Sequence, residues 1–135
     1  MCYNEIDGQT RFPCNVKIVS NGDSLNEDIS TGGIYRKIDG GILVCYVSDG
    51  DQSTFFFKEG EAEYVRTGSQ YIRMFFEQGK TTRCEIGYGN MNGFFEVSTK
   101  RIEISSDGRG YGVLLEYQSG QDGESTVLNF TVLNN

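Results

Sequence analysis

The sequence predicts a single all-β domain of short antiparallel strands, and three observations support this fold class. The chain has 135 residues, which is the length of one ordinary domain. Polar and apolar residues alternate through most of the chain from about Cys14 onward, as they do in strands with one buried face. Glycine is frequent, at 18 residues, and turn signals recur at roughly the 8–12-residue spacing that is typical of a sandwich or a barrel. The pattern alone does not separate these two architectures.

The predicted strands follow one another along nearly the whole chain. The polar stretch 24–30 is interpreted as a loop or a weak edge strand, and the segment 94–105 as one long or bent strand pair. In the aromatic run, Phe55 and Phe57 should share one face of a strand while Phe56 faces the other way. In chain order, strands are expected at residues 15–20, 33–37, 42–47, 53–58, 62–66, 70–77, 82–86, 94–99, 101–105, 112–117 and 126–133.

Aspartate–glycine pairs predict where the strands reverse direction. Asp49-Gly50 tolerates the positive φ angles that a type I′ hairpin turn requires, and similar signals occur at 39–41 and 107–110. A calcium loop that starts at Asp49 is rejected, because its sixth and twelfth positions would hold threonine and glycine instead of glycine and an acid. No helix is expected after the glycine-rich stretch 87–93, so we interpret this stretch as a turn or bulge and not as a phosphate-binding loop.

The charge of the chain argues against nucleic-acid and membrane partners. The formal net charge is −7, from 19 acidic and 12 basic residues. Nucleic-acid binding and docking on anionic lipid both need a positive surface, whereas the basic residues here are scattered. The chain also lacks an apolar run of about 20 residues, and its first residues do not resemble a signal peptide. We therefore expect an acidic cytoplasmic protein that binds neither nucleic acid nor membranes, with Cys2, Cys14, Cys45 and Cys84 as reduced thiols.

The chain offers no residue that we would assign to catalysis or to a metal. It contains no histidine, which excludes Ser–His and Cys–His nucleophiles, and it has no C-x-x-C pair with which a zinc site could begin. Glu59, Glu61 and Glu63 alternate and could share a strand face, but an acidic strand end in contact with solvent is the simpler interpretation. We expect no enzymatic activity, no metal and no cofactor.

Several segments in a particular order carry a likeness to a known family. They are Gly33–Lys37, Ile42–Tyr46, Met74–Gly79, Gly93–Ile102, Gly112–Tyr117 and Leu128–Val132. With these segments the chain resembles the YwiB-like family, small bacterial proteins of unknown function with a calycin (lipocalin-like) barrel. The resemblance covers most of the chain from about Val16 onward. It implies that residues 1–135 form a single closed antiparallel barrel of about eight to ten strands, with residues 1–13 as an irregular N-terminal segment.

Two functions remain open for such a barrel. The first is a non-enzymatic binding protein, since barrels of about eight strands leave room for side chains or for one small apolar or amphipathic ligand. Aromatic and phenolic side chains on apolar strands are the candidate lining residues, namely Tyr46, Phe57, Tyr88 and Tyr117. The alternative is a structural or interaction protein with a solid core, which forms a homodimer or docks a protein partner through an outer apolar face at 42–47 and 54–58.

Overall fold

Ten strands make up almost all of the protein that the structure, a computed structural model, describes. The described residues are 10–22, 26–120 and 125–135, with the side chains of residues 26 and 27 excluded. Within these ranges no helix has the length and apolar character needed to cross a membrane. The strands are β1 (Phe12–Asn21), β2 (Asn26–Ile38), β3 (Gly41–Ser48), β4 (Asp51–Lys58), β5 (Glu61–Thr67), β6 (Tyr71–Glu77), β7 (Thr81–Tyr88), β8 (Met91–Asp107), β9 (Gly110–Ser119) and β10 (Ser125–Asn134).

The strands form one closed antiparallel barrel with the simplest possible connectivity. Each strand pairs with its neighbour in the chain, and β1 pairs with both β2 and β10 to close the ring. Closure gives each of the ten described strands a neighbour on both sides, although β6 and β7 pair only through residues 71–73 and 85–87. Open sheets, in contrast, have edge strands that make them prone to association. The closed all-β barrel expected from the sequence is therefore confirmed, with ten strands at the top of the expected range.

The hairpin turns alternate between the two ends of the barrel. Asp39-Gly40 and Asp49-Gly50 both have positive φ at the two central residues, between 48° and 81°, as a type I′ turn requires. The turn type predicted at residues 49–50 agrees with these angles. We call the end that carries the turns after β3, β5 and β7 the mouth. The opposite end, which carries the turns after β2, β4, β6 and β8, is the base.

Aromatic side chains fill the barrel toward the base. Phe55 and Phe57 point inward from β4 and are almost fully buried, whereas Phe56 faces outward, as the alternation predicts. The ring centroids of Phe55 and Phe130 are 4.3 Å apart, and Phe57 lies edge-on to Tyr111 at 6.2 Å. Stacked and edge-on rings bury large areas and stabilise each other further. This half of the interior is therefore a packed core.

The N-terminal end of the barrel begins earlier than the sequence indicates. Residues 12 and 13 were expected to belong to an irregular segment, but β1 starts at Phe12. Phe12 pairs with Tyr35 of β2, and their rings stack at 5.1 Å. Local alternation does not reveal this contact because the partner lies on another strand. Residues 10 and 11 of the expected segment have no regular secondary structure, and residues 1–9 lie outside the described residues.

A bulge in β8 makes one bent strand of the segment 94–105. The register with β9 shifts between Thr99 and Arg101. The β6–β7 turn supplies hydrogen-bond partners for backbone groups around this shift. The amide of Gly79 donates to the carbonyl of Thr99 at 2.8 Å, and the amide of Ile102 donates to the side chain of Gln78 at 2.8 Å. These bonds stabilise the bend, since a bulge interrupts the regular ladder.

The cysteines do not share one chemical state. Cys14 and Cys84 are buried free thiols that point into the barrel. Cys45 is disulfide-bonded, so the expectation that all four cysteines are reduced is wrong for this residue. Cys45 sits among apolar neighbours on β3, which suggested an inert core residue. Its ladder partners Ile34 and Thr54, however, place it on the outer face of the barrel.

Candidate functional site

The inner half of the barrel that faces the mouth contains a cavity of about 250 Å³. A cavity of about 150 Å³ lined by apolar side chains can hold benzene, and pockets for drug-sized ligands begin near 300 Å³. The space therefore suits a molecule on the order of ten non-hydrogen atoms. Its lining residues come from most of the strands around the ring.

Apolar side chains form the floor and most of the wall of the cavity. Phe55 and Phe130 lie at the boundary with the packed base, and Leu115 and Leu128 face them from β9 and β10. Tyr117 adds a phenol whose ring centroid is 5.1 Å from that of Phe76. An apolar body inserted here would be removed from water, which is the main source of affinity for small ligands in such sites.

A buried hydroxyl without a partner points to an occupant of this cavity. Ser20 lies near the mouth end of β1, lines the cavity and is 3% exposed. Its Oγ has no hydrogen-bond partner among the described residues. Such a group costs about 1–3 kcal/mol when it stays unpaired, so buried hydroxyls are normally bonded to protein, water or ligand. Ser48 and Ser53 add two further hydroxyls to the same lining.

One charged residue lines the cavity within the described part of the chain, and it is a cation. Arg66 lies near the mouth end of β5, between its ladder partners Ser53 and Ile72. Its Nε donates a hydrogen bond of 2.9 Å to Asp51 Oδ2. Asp51 itself is 4% exposed and does not line the cavity, although it lies on the same inward face of β4 as Ser53.

The β5–β6 turn holds this ion pair in place. The backbone amide and the hydroxyl of Ser69 each donate a 2.9 Å hydrogen bond to the Asp51 carboxylate. Together with the bond from Arg66, these donors lower the pKa of Asp51 below its ordinary value. Gly68 makes the approach possible, because a Cβ built at this residue would lie 2.1 Å from Asp51 Oδ1. The sequence of the turn thus fixes the position of the arginine at the mouth.

Two of the four lining residues expected from the sequence meet in the cavity. Tyr46 and Tyr117 line it. Phe57 also points inward, but it lies in the packed base on the far side of Phe55 and does not line this cavity. Tyr88 lies outside the cavity with 68% of its side chain exposed, because it ends β7 at the tip of a hairpin beyond the mouth.

The polar residues of the site were not among the expected lining residues. Ser20 and Arg66 belong to predicted strands, and each falls on the inward-facing register of its strand. The signal that could have found Arg66 is its spacing from Ala62 and Tyr64, since residues two apart share a strand face. No three potential metal ligands come together among the described side chains.

A larger groove of about 850 Å³ opens at the base end of the barrel, and the inward-facing residues Ile42 and Phe57 belong to its lining. It runs between the β2–β3 turn and the projecting part of β8 and β9, and Ile104 and Tyr111 contribute to its wall. Its charged residues are of both signs, and the Lys58 ammonium lies 3.4 Å from Glu61. Among the described residues that line this groove, none has a buried polar atom without a hydrogen-bond partner, so the cavity at the mouth is the stronger candidate site.

Comparisons with known proteins identify a family and a fold. No curated protein matches the chain. The structure resembles the crystal structure of the ywiB protein from Bacillus subtilis, with a TM-score of 0.76 over 94% of this chain and 93% of that one, at 20% sequence identity. A likeness at this identity concerns the fold alone. The family model for a domain of unknown function, DUF1934, matches residues 15–131. The chain therefore belongs to the DUF1934 family, in agreement with its resemblance to YwiB-like proteins.

Proposed function

We propose that this protein is a non-enzymatic binding protein that holds one small amphipathic molecule in the cavity at the mouth of its barrel. The observation that carries the proposal is the unpaired, buried hydroxyl of Ser20 in a cavity whose floor is apolar. A ligand with an apolar body and a polar end would bury its body against the floor and pair with the polar groups nearer the mouth. Small-ligand sites in proteins are generally of this kind, mostly apolar with a few placed polar groups.

The number of strands supports a hollow interior. The diameter of a barrel grows with its strand number, and eight strands already leave an interior that side chains fill or that holds one small ligand. Ten strands enclose a wider interior than eight. In this protein the aromatic side chains of the base fill only part of that width and depth.

Native mass spectrometry of gently purified protein tests the proposal. We expect a bound species of low mass that dissociates on denaturation. The variant Leu128→Phe places a ring in the cavity and should abolish the bound species. Leu114→Phe is the matched control, because Leu114 points outward from the neighbouring strand between Glu103 and Asn129 and should leave binding intact. A wild-type protein free of ligand, with a crystal structure that shows a filled interior, would contradict the proposal.

Self-association is a second candidate function, favoured by one exposed apolar surface. Tyr88, Met91 and Phe94 of the β7–β8 hairpin have between 60% and 77% of their side chains exposed. The outer face of β3 and β4 exposes less apolar surface than the hairpin: Val47 is 47% exposed, while Leu43 and Phe56 are half-buried. A homodimer that uses the hairpin should lose affinity when Met91 is replaced by Glu. Sedimentation that shows a monomer at every concentration would exclude this function.

A further inference from the structure

We infer that the polar end of the ligand is an anionic acid group, such as a carboxylate, and that Arg66 binds it. This inference rests on the proposed function and names the chemical class of the molecule that the cavity would hold. Arg66 is the cavity's only charged lining residue within the described part of the chain. A ligand whose acid group meets this cation would thus encounter no negative side chain on the described lining.

The state of Arg66 leaves it able to bind such a group. Asp51 accepts a bond from Nε, and the interaction with Tyr64 further favours the charged guanidinium. The Asp51 carboxylate and the Tyr64 hydroxyl are the acceptors that the described residues offer the guanidinium, and these two contacts do not use all of its N–H groups, so donors remain for a ligand. A guanidinium and a carboxylate match in shape and can share two parallel hydrogen bonds.

The role of Asp51 is to orient the cation. Its carboxylate also accepts two bonds from Ser69, so the β5–β6 turn and Arg66 together engage its oxygens. The pair is more enclosed than the surface pairs of the barrel: the Arg66 side chain is 24% exposed, compared with 52% for Arg73. Charge-assisted hydrogen bonds strengthen when water is partly excluded.

The arrangement of the lining sets the direction of the ligand. Arg66 lies near the mouth end of β5, and Phe55 and Phe130 form the apolar floor toward the base. The acid group would therefore lie at the mouth with the apolar body directed inward. A linear acid of about eight carbons or a phenyl-substituted short acid matches a volume of about 250 Å³.

Isothermal titration with matched acid and amide probes tests the inference. The probes are octanoate with octanamide and 3-phenylpropanoate with 3-phenylpropanamide, all at pH 7.5. In each pair the apolar body is the same and only the charge of the head group differs. We expect wild-type protein to bind the acid about 10- to 100-fold more tightly than the amide, the range that a charge-assisted hydrogen bond supplies.

The variant Arg66→Gln should remove this preference while amide binding remains. Arg73→Gln is the control, because Arg73 lies on the adjacent strand but points outward and pairs with Glu63. Equal binding of acid and amide by wild-type protein would overturn the inference and leave the proposed function standing. A preference that survives in Arg66→Gln would overturn it as well. If no probe of either pair binds, the proposed function itself fails. The wild-type comparison needs no variant, so misfolding of Arg66→Gln would not prevent a decision.

Discussion

Replacing Ser20 with valine should stabilise the unliganded protein, although it changes a fully buried residue. The Ser20 hydroxyl lacks a protein partner among the described residues, and the side chain borders a cavity that has room for an added methyl group. Loss of an unpaired buried hydroxyl removes a penalty of about 1–3 kcal/mol. Valine also buries more apolar surface and is well suited to a strand. We expect a net gain of about 1–2 kcal/mol in the free energy of unfolding.

The gain can be measured by thermal denaturation followed by circular dichroism. For 135 residues the entropy of unfolding is about 0.28 kcal/mol/K, so the midpoint should rise by about 4–7 °C. Ser30→Val is the control, because Ser30 is exposed on the outer face of β2 and should change stability by less than about 0.5 kcal/mol. The same Ser20→Val variant should weaken ligand binding. A lower midpoint for Ser20→Val would refute the reasoning, since it would mean that the hydroxyl has a stabilising partner.

Three further predictions concern the packed base, the β5–β6 turn and a buried thiol. Phe130→Ala should lower the free energy of unfolding by about 3–5 kcal/mol, measured by urea titration, because the Phe130 ring packs against the Phe55 ring at a centroid distance of 4.3 Å. A loss below about 1 kcal/mol would contradict a tightly packed base. Gly68→Ala should lower the free energy of unfolding by about 1–3 kcal/mol, because φ at Gly68 is 145° and an added Cβ would collide with Asp51. Gly108→Ala is the control: Gly108 has open space around it, so the free energy of unfolding should change by less than about 0.5 kcal/mol. Equal losses in the two variants would refute this prediction. Burial raises the pKa of Cys14 to about 11, so its alkylation at pH 8 should be about 100-fold slower in folded than in unfolded protein. This shift also predicts stability that is retained below pH 9 and lost as the pH rises toward 11, a loss that should be smaller in Cys14→Ala, where the raised pKa values of Cys84 and Tyr35 still contribute.

Much of the fold could be predicted because it depends on local patterns. The alternation predicts that Phe55 and Phe57 share one strand face and that Phe56 lies on the other, and Asp49-Gly50 predicts its own hairpin turn. Closure of the ring is different, since the pairing of β1 with β10 joins the two ends of the chain. Periodicity predicted only antiparallel strands, and the expectation of a closed barrel came from the family resemblance.

The candidate site was only partly predictable, for a related reason. Tyr46 and Tyr117 stand out as phenols on apolar strands, and both line the cavity. Ser20 and Arg66 resemble ordinary polar strand residues in the sequence, and their burial depends on how ten strands enclose the interior. Tyr88 lies on the same face of β7 as Cys84, which points into the barrel. The β7–β8 hairpin extends past the cavity, however, so the Tyr88 side chain is exposed.

The central claim is that the barrel is hollow at the mouth and packed at the base. A crystal structure of the unliganded protein under xenon pressure tests this claim most directly, because xenon enters apolar cavities that are large enough and dry. We predict a xenon peak among Phe55, Leu128 and Phe130, and none among the rings of Phe57 and Tyr111. Side chains that occupy the space near the mouth, with no xenon between them, would contradict the account.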